Sequence, residues 1–215
     1  MPVLRVAVLA SGEGTTLEGL ATALAAEPGP VEIALVVSNR PGARVLERAR
    51  RLGLPTVVVE RAGDLEAWAS RLTAELDAHG TQLVVLAGFL AILPPSWVER
   101  WRGRAINLHP SLLPRYGGRG MYGLRVHAAV LAAGERETGA TVHLVTGAID
   151  GGPPIAQERL PIRPGETPEE LRDRMRPVEV DLLARTVRRF ADGTLPLPYP
   201  GGTERAEPAA ADRRA

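Results

Sequence analysis

The chain has 215 residues, 45% hydrophobic and 24% charged, which suits one soluble globular domain with a sizeable buried core. A formal net charge of +1 gives no electrostatic reason to expect a nucleic-acid or membrane partner. The absence of cysteine excludes thiol nucleophiles, disulfides and thiolate metal sites together, and with no bilayer-length apolar run and no signal peptide ahead of the first strand a cytoplasmic protein is the expectation.

Val3 to Ala10, broken only by Arg5, reads as a buried parallel strand. Ser11-Gly12-Glu13-Gly14-Thr15-Thr16 follows and opens a helix carrying Leu17, Leu20, Ala21 and Leu24. Val31 to Val37 is a second strand, and Ala43 to Leu52 a helix stopped by Gly53. Thr56 to Val59 is a short third strand. Asp64 caps a helix running to about His79, with Leu65, Trp68, Leu72 and Leu76 on its apolar stripe. Leu83 to Leu86 is a fourth strand, Pro94 to Arg102 a short helix, and Ala105 to Leu108 a fifth strand. This alternation predicts an α/β fold with a doubly wound, mainly parallel sheet, Rossmann-like in its N-terminal half.

The pattern changes after Pro114. Tyr116 to Gly123 is a glycine-rich loop, Leu124 to Ala133 a helix, and Thr138 to Val145 a β-branched strand. Thr146 to Pro154 is a loop holding Asp150-Gly151-Gly152, and Ile155 to Leu160 is a further strand. Thr167-Pro168-Glu169-Glu170 starts a long helix, kinked at Pro177 and ending near Asp192-Gly193. A single domain is expected over residues 1–200, with its first half at 1–105 and its second at 106–200. The small, charged, Pro- and Ala-rich stretch 201–215 is expected to be disordered.

Two places carry chemistry. Strand, Gly12-Glu13-Gly14 and helix together make a geometry that holds an anion on the helix N-terminus, through the backbone N–H groups of Gly14, Thr15 and Thr16. Leu17 stands where a dinucleotide fingerprint needs its third glycine, and no Gly-Lys-Ser/Thr follows, so a single phosphate monoester fits better than NAD or a P-loop; a tight turn without a ligand is the plain alternative. At the end of strand five, alternation puts Asn107 and His109 on one side of the chain, and Pro110 ends the ladder. Asp150 can join them, since the two glycines after it allow close approach. An amide to meet an oxyanion, an imidazole to move a proton and a carboxylate to orient it suit acyl transfer with no covalent enzyme intermediate. His79 stands near a helix end, His127 on a helix and His143 within a strand as a hydrogen-bonded core residue; no ligand cluster recurs at metal-like spacing, so no metal is expected.

Asn107-Leu108-His109-Pro110-Ser111-Leu112-Leu113-Pro114 resembles the signature of the folate-dependent formyltransferases, and Thr138 to His143 and Asp150 to Pro153 follow in that family's order. Ser11 to Leu17, Ala87-Gly88-Phe89-Leu90-Ala91-Ile92-Leu93 and Phe190 to Gly193 resemble its phosphoribosylglycinamide branch, from about Val3 to about Leu197. No regulatory domain is expected ahead of this stretch and no RNA-binding barrel after it. The resemblance implies a formyltransferase fold, with a phosphate-binding first half and a catalytic and folate-binding second half. It implies 10-formyltetrahydrofolate as co-substrate and the amine of 5-phosphoribosyl-glycinamide as acceptor, in purine biosynthesis. It also implies small-molecule partners only, no nucleic acid and no membrane, in a monomer or homodimer.

Carried over by position, the resemblance makes Asn107, His109 and Asp150 catalytic, with Asp150 raising the pKa of His109. It places the substrate phosphate on Gly14, Thr15 and Thr16, and the pterin on Leu90, Ala91, Ile92 and Leu93. The loop Thr146, Gly147, Ala148, Ile149 and Asp150 closes over the pterin. Glu179 would meet the substrate amine; on the residues alone it is a solvated charge beyond the Pro177 kink. The chain departs from the family pattern at Thr16, Leu65 and Val180 and in the length of the 116–123 loop, where Arg115 or Arg119 could face the phosphate or the folate tail. A formyltetrahydrofolate hydrolase and a non-catalytic sugar-phosphate-binding module are the alternatives.

Overall fold

The computed structural model describes residues 2–200; the disorder expected of 201–215 concerns residues outside the described ones. Alternation along the central strands divides their side chains between two apolar layers. In β1 (Leu4–Leu9), Val6 and Val8 enter one cluster while Ala7 and Leu9 enter the other. In β4 (Leu83–Leu86), Leu83 and Val85 join the first and Val84 and Leu86 the second. Both faces are covered, which is why these strands read as unbroken apolar runs. Arg5 stays compatible with β1 because its guanidinium reaches Glu32 at 2.7 Å and the His79 carbonyl at 2.9 Å.

The first layer is closed by α1 (Thr15–Ala26), α2 (Arg44–Arg51) and the long α6 (Pro168–Ala191), through Leu17, Leu20, Val45, Leu46, Met175, Leu183 and Val187. The second is closed by α3 (Leu65–Ala78) and α4 (Pro95–Arg100), through Trp68, Leu72, Leu76 and Trp97. Each such side chain contributes about 1.5–3 kcal/mol on burial. The helix starts follow their caps: Asp64 accepts the Ala67 N–H at 2.8 Å, and Thr167 and Glu170 form a reciprocal capping box. α6 continues through Pro177 as a helix.

The seven strands lie in the order β3-β2-β1-β4-β5-β6-β7, with β2 (Val31–Ser38), β3 (Thr56–Val58) and β5 (Ala105–His109) parallel to β1 and β4. After the excursion through α5 (Leu124–Ala132), β6 (Glu137–Leu144) and β7 (Pro154–Pro161) extend the sheet antiparallel. Successive strands step outward from β1 to β3, then the chain returns to β4 on the other side of β1. That reversal opens a crevice at the carboxyl ends of β1 and β4, where open α/β sheets bind ligands.

Candidate active site

Strand register assembles the polar cluster. Asn107 on β5 lies opposite His143 on antiparallel β6, so both side chains leave the same face side by side. Asn107 Nδ2 donates to His143 Nε2 at 3.0 Å and to Asp150 Oδ1 at 3.3 Å. His143 is thereby the Nδ1–H tautomer, donating to its neighbour's carbonyl, Leu144 O, at 2.9 Å. Asp150 arrives from the loop after β6 in a left-handed conformation, φ 53°. Its Oδ2 accepts the Gly118 N–H at 2.9 Å and lies 3.5 Å from His109 Nδ1. His109 Nε2 donates to the Tyr116 carbonyl at 2.9 Å. The expected trio is therefore one connected network, with a fourth member, His143.

Burial lowers the pKa of His109, and the opposing pull of Asp150 and the Tyr116 carbonyl does not offset it; His143 adds to the lowering. This corrects the expectation that Asp150 leaves His109 with a raised pKa: its attraction acts in that direction, but desolvation is larger. The ring is neutral in the resting site, with its Nδ1 lone pair towards Asp150. Burial works to raise the Asp150 pKa, but the adjacent His143 and His109 rings and the Gly118 N–H outweigh it and hold the carboxyl below its ordinary value. A proton taken up by His109 at Nδ1 would thus be met at once by a fixed negative charge.

The network lines a cleft of about 450 Å³. Leu90, Ala91, Ile92 and Leu93 line it from the loop after β4, and Thr146, Gly147, Ala148 and Ile149 from the loop after β6. Leu90, Ile92 and Ile149 are each more than two-fifths exposed, an apolar surface that a flat ring system would cover. The two sequence segments expected to hold a pterin are brought together with the polar cluster of Asn107, His109, His143 and Asp150.

The expected phosphate segment stands apart from this lining. Gly14 ends the β1–α1 turn at φ 77°, and no side chain caps the first turn of α1, which leaves the N–H groups around Thr15 and Thr16 for an anion. Gly14 also has a packing reason: a Cβ there would come within 2.6 Å of the Val45 backbone. Glu179 lies on α6 beside α1, where a Cβ on Gly19 would strike Val180. It is half-buried rather than on the solvated face expected from the residues alone, and desolvation, only partly opposed by Arg176, pushes its pKa up to about 7. Such a carboxyl gains from a cationic amine as partner. Leu65, one of the departures, packs against the second apolar cluster.

Sequence reasoning missed two residues. His143 reads as a core histidine until the antiparallel register of β6 is known; the Thr138–Val145 alternation placed it on a face but not beside Asn107. Ser11 was read only as part of the glycine loop. It is buried, donates to Asn39 Oδ1 at 2.6 Å and accepts the Leu90 N–H at 2.8 Å, while its own N–H bonds Gly88 O at 3.1 Å. One hydroxyl thus ties the loops after β1, β2 and β4.

Among the described residues no group of three or more His, Cys, Asp or Glu side chains could hold a metal ion, and no helix is long and apolar enough to cross a membrane. Residues 4–187 match the family model described as formyl transferase. The chain is 35% identical over 196 residues to the phosphoribosylglycinamide formyltransferase of Escherichia coli, covering 90% of each. It is 39% identical over 194 residues to the trifunctional purine biosynthetic protein adenosine-3 of Drosophila melanogaster; the match takes in 88% of this chain but only 14% of that longer protein. Among solved structures, the phosphoribosylglycinamide formyltransferase of Coxiella burnetii superposes with a TM-score of 0.83 at 39% identity, over 90% of this chain and 89% of that one. Glycinamide ribonucleotide transformylase 1 of Symbiobacterium toebii gives a TM-score of 0.83 at 34% identity, over 90% of each. With its fold, the order of its motifs and these likenesses in agreement, the chain belongs to the formyl transferase family.

Proposed function

We propose that this chain transfers the formyl group of 10-formyltetrahydrofolate to the primary amine of 5-phosphoribosyl-glycinamide, giving formylglycinamide ribonucleotide in de novo purine biosynthesis, as a single cytoplasmic formyltransferase domain over residues 1–200. The observation that carries the reading is the Asn107–His109–His143–Asp150 network lining an apolar-walled cleft, with an anion-suited helix start on the same sheet edge. The names of the relatives that match over most of their length support it.

The chemistry needs no nucleophile from the protein. The amine nitrogen attacks the formyl carbon, the bond from that carbon to the folate nitrogen breaks, and one proton moves from the amine to the departing nitrogen. Asn107 meets the oxygen as it becomes anionic, giving up its longer bond, the 3.3 Å contact to Asp150. His109, neutral at rest, can take the amine's proton and return it to the leaving nitrogen, held as imidazolium by Asp150. Gly14, Thr15 and Thr16 bind the phosphate, Glu179 the amine end, and Leu90–Leu93 with Thr146–Asp150 the pterin.

A spectrophotometric assay with 10-formyl folate, with and without the ribonucleotide amine, tests the reading. Turnover is expected only with the amine; full-rate formate release without it would identify a hydrolase instead. Asn107→Ala and His109→Ala are each expected to lower kcat by about two to three powers of ten, with ribonucleotide binding retained. Near-normal turnover in either would remove these residues from the mechanism.

A further inference from the structure

Tyr116 has a positive φ of 59°, a region that a residue with a bulky side chain occupies only where its surroundings hold it. What this conformation serves is visible in its contacts. The Tyr116 carbonyl accepts His109 Nε2–H at 2.9 Å, and the Gly118 N–H donates to Asp150 Oδ2 at 2.9 Å. Gly117 between them packs so closely that a Cβ would come within 2.5 Å of Leu113 Cδ2 and 3.2 Å of Asp150 Cβ. Residues 116–118 are thus a backbone bracket that grips both members of the His109–Asp150 pair.

Side chains outside the cleft hold this bracket. Ser111 Oγ donates to the Arg115 carbonyl at 2.8 Å, which fixes the approach to it. The Tyr116 hydroxyl donates to Glu135 Oε1 at 2.7 Å, and Arg115 pairs with the same oxygen while lying 5.3 Å from the centre of the Tyr116 ring. Arg115 is 66% exposed, so its charge lends little, whereas the Glu135 side chain is only 19% exposed. The bond from Tyr116 holds the Glu135 carboxyl below its usual range and pushes the Tyr116 hydroxyl up, as a charge-assisted hydrogen bond does. Glu135 is itself fixed by the Schellman turn that ends α5: Gly134 N–H bonds Leu131 O at 3.0 Å and Glu135 N–H bonds Val130 O at 3.5 Å. Arg115, Tyr116 and Glu135 stand outside the cleft lining, whereas Arg119 is part of it.

We propose that Glu135, acting through Tyr116, is a positioning residue that decides which nitrogen of His109 is free to take the proton. The proposal rests on the formyl-transfer reading of the site. A neutral imidazole carries one N–H. With the Tyr116 carbonyl in place that N–H is on Nε2, and Nδ1 is the base beside Asp150. Without its anchor Tyr116 relaxes out of the left-handed region and its carbonyl turns away. Asp150 is then the remaining acceptor for the ring, since its other titratable neighbours, His143 on β6 and His127 on α5, carry no negative charge. The N–H moves to Nδ1, and the base becomes Nε2, which faces Tyr116 outside the cleft lining.

Nitrogen-15 NMR of the histidine-labelled full chain above neutral pH reads the tautomer, with His109 assigned by its absence from the His109→Ala spectrum. The wild type is expected to carry the proton on Nε2. Glu135→Ala and Tyr116→Phe are each expected to move a measurable share of it to Nδ1. Each is also expected to lower kcat about three- to tenfold, the scale of one hydrogen bond lost away from the reacting atoms, with the ribonucleotide KM unchanged. Glu135→Gln, which keeps an acceptor oxygen for Tyr116, is expected to recover most of both. The wild-type tautomer in Glu135→Ala and Tyr116→Phe, an unchanged kcat in both, or a loss confined to KM would overturn the proposal. Should Glu135→Ala fail to fold, Tyr116→Phe, which removes a single oxygen, decides alone. A wild type that does not turn over at all defeats the formyl-transfer reading instead, and the tautomer comparison still decides what Glu135 does.

Discussion

Asp150 makes the site a unit rather than three adjacent side chains, and its neighbours can be ranked by what they touch. His143 accepts from Asn107 and is itself fixed by Leu144 O, so it positions the amide without meeting the reacting atoms. Its loss would leave one part-buried Asn107 N–H without its partner, a cost of about 1 kcal/mol. His143→Ala is expected to lower kcat roughly tenfold, well short of Asn107→Ala; an equal loss in single-turnover rates would make His143 a reacting group. Glu179 gives a pH signature. Its folded pKa of about 7 lies above the ordinary 4.5, so the contribution of this carboxyl to stability is fully present below 4.5 and is lost as pH rises through 7. Glu179→Gln should therefore be more stable than wild type at pH 8, by about 1 kcal/mol after allowance for partial exposure, and should raise the KM for the ribonucleotide amine. Equal urea midpoints at pH 8 would contradict the desolvation argument. At this scale the clustering of Asn107, His109 and Asp150 was legible because proline and glycine neighbours mark them. Ser11 and His143 were not, since their partners lie 79 and 36 residues away and only register brings them together.

Local chemistry specified the elements well wherever it acted alone. The Asp64 and Thr167 caps, the Gly53 stop and the apolar runs of β1, β2 and β4 each follow from neighbours within a few residues, and the observed bounds fall within a residue or two of those expected. Thr167→Ala should cost about 1 kcal/mol through loss of the hydroxyl that accepts the Glu170 N–H, read as a lowered urea midpoint with unchanged slope. The direction of β6 and β7 was not legible, because alternating β-branched residues suit either direction. Gly152 shows what that turn demands: a Cβ there would lie 1.8 Å from the Leu144 carbonyl oxygen, a backbone atom that β6 cannot move. Gly152→Ala is expected to destabilise the fold by about 1–3 kcal/mol and to weaken folate binding by displacing the 146–150 wall. Wild-type folate affinity in a folded Gly152→Ala protein would show that the wall does not depend on this turn.

In the whole molecule, the order β3-β2-β1-β4-β5-β6-β7 brings the β1–α1 turn, the cleft walls and the Asn107–His109–His143–Asp150 network to one edge. The interior behind that edge carries a cost that appears on acidification. His127 on α5 is 1% exposed, with Nδ1 unpartnered among the described residues. Burial, reinforced by the charge of Arg172 on the packed α6 and by His109, lowers its pKa to about 4. The neutral ring is the one the fold accepts, so its stability is intact above 6.5 and lost as pH falls from there towards 4, in total on the order of 3 kcal/mol. His109, lowered for the same reason, adds to the loss. With a net charge of only +1 near neutrality, general charge repulsion is a small part of this trend above pH 5. Urea unfolding of wild type and His127→Leu at pH 7.5 and pH 5 separates the contributions. The wild type should lose most of its His127 share between these pH values, and the variant should lose visibly less, retaining the slope due to His109. Equal losses in both proteins would mean that α5 opens to let the ring protonate in water, and that the α5–α6 contact is not the barrier its burial implies.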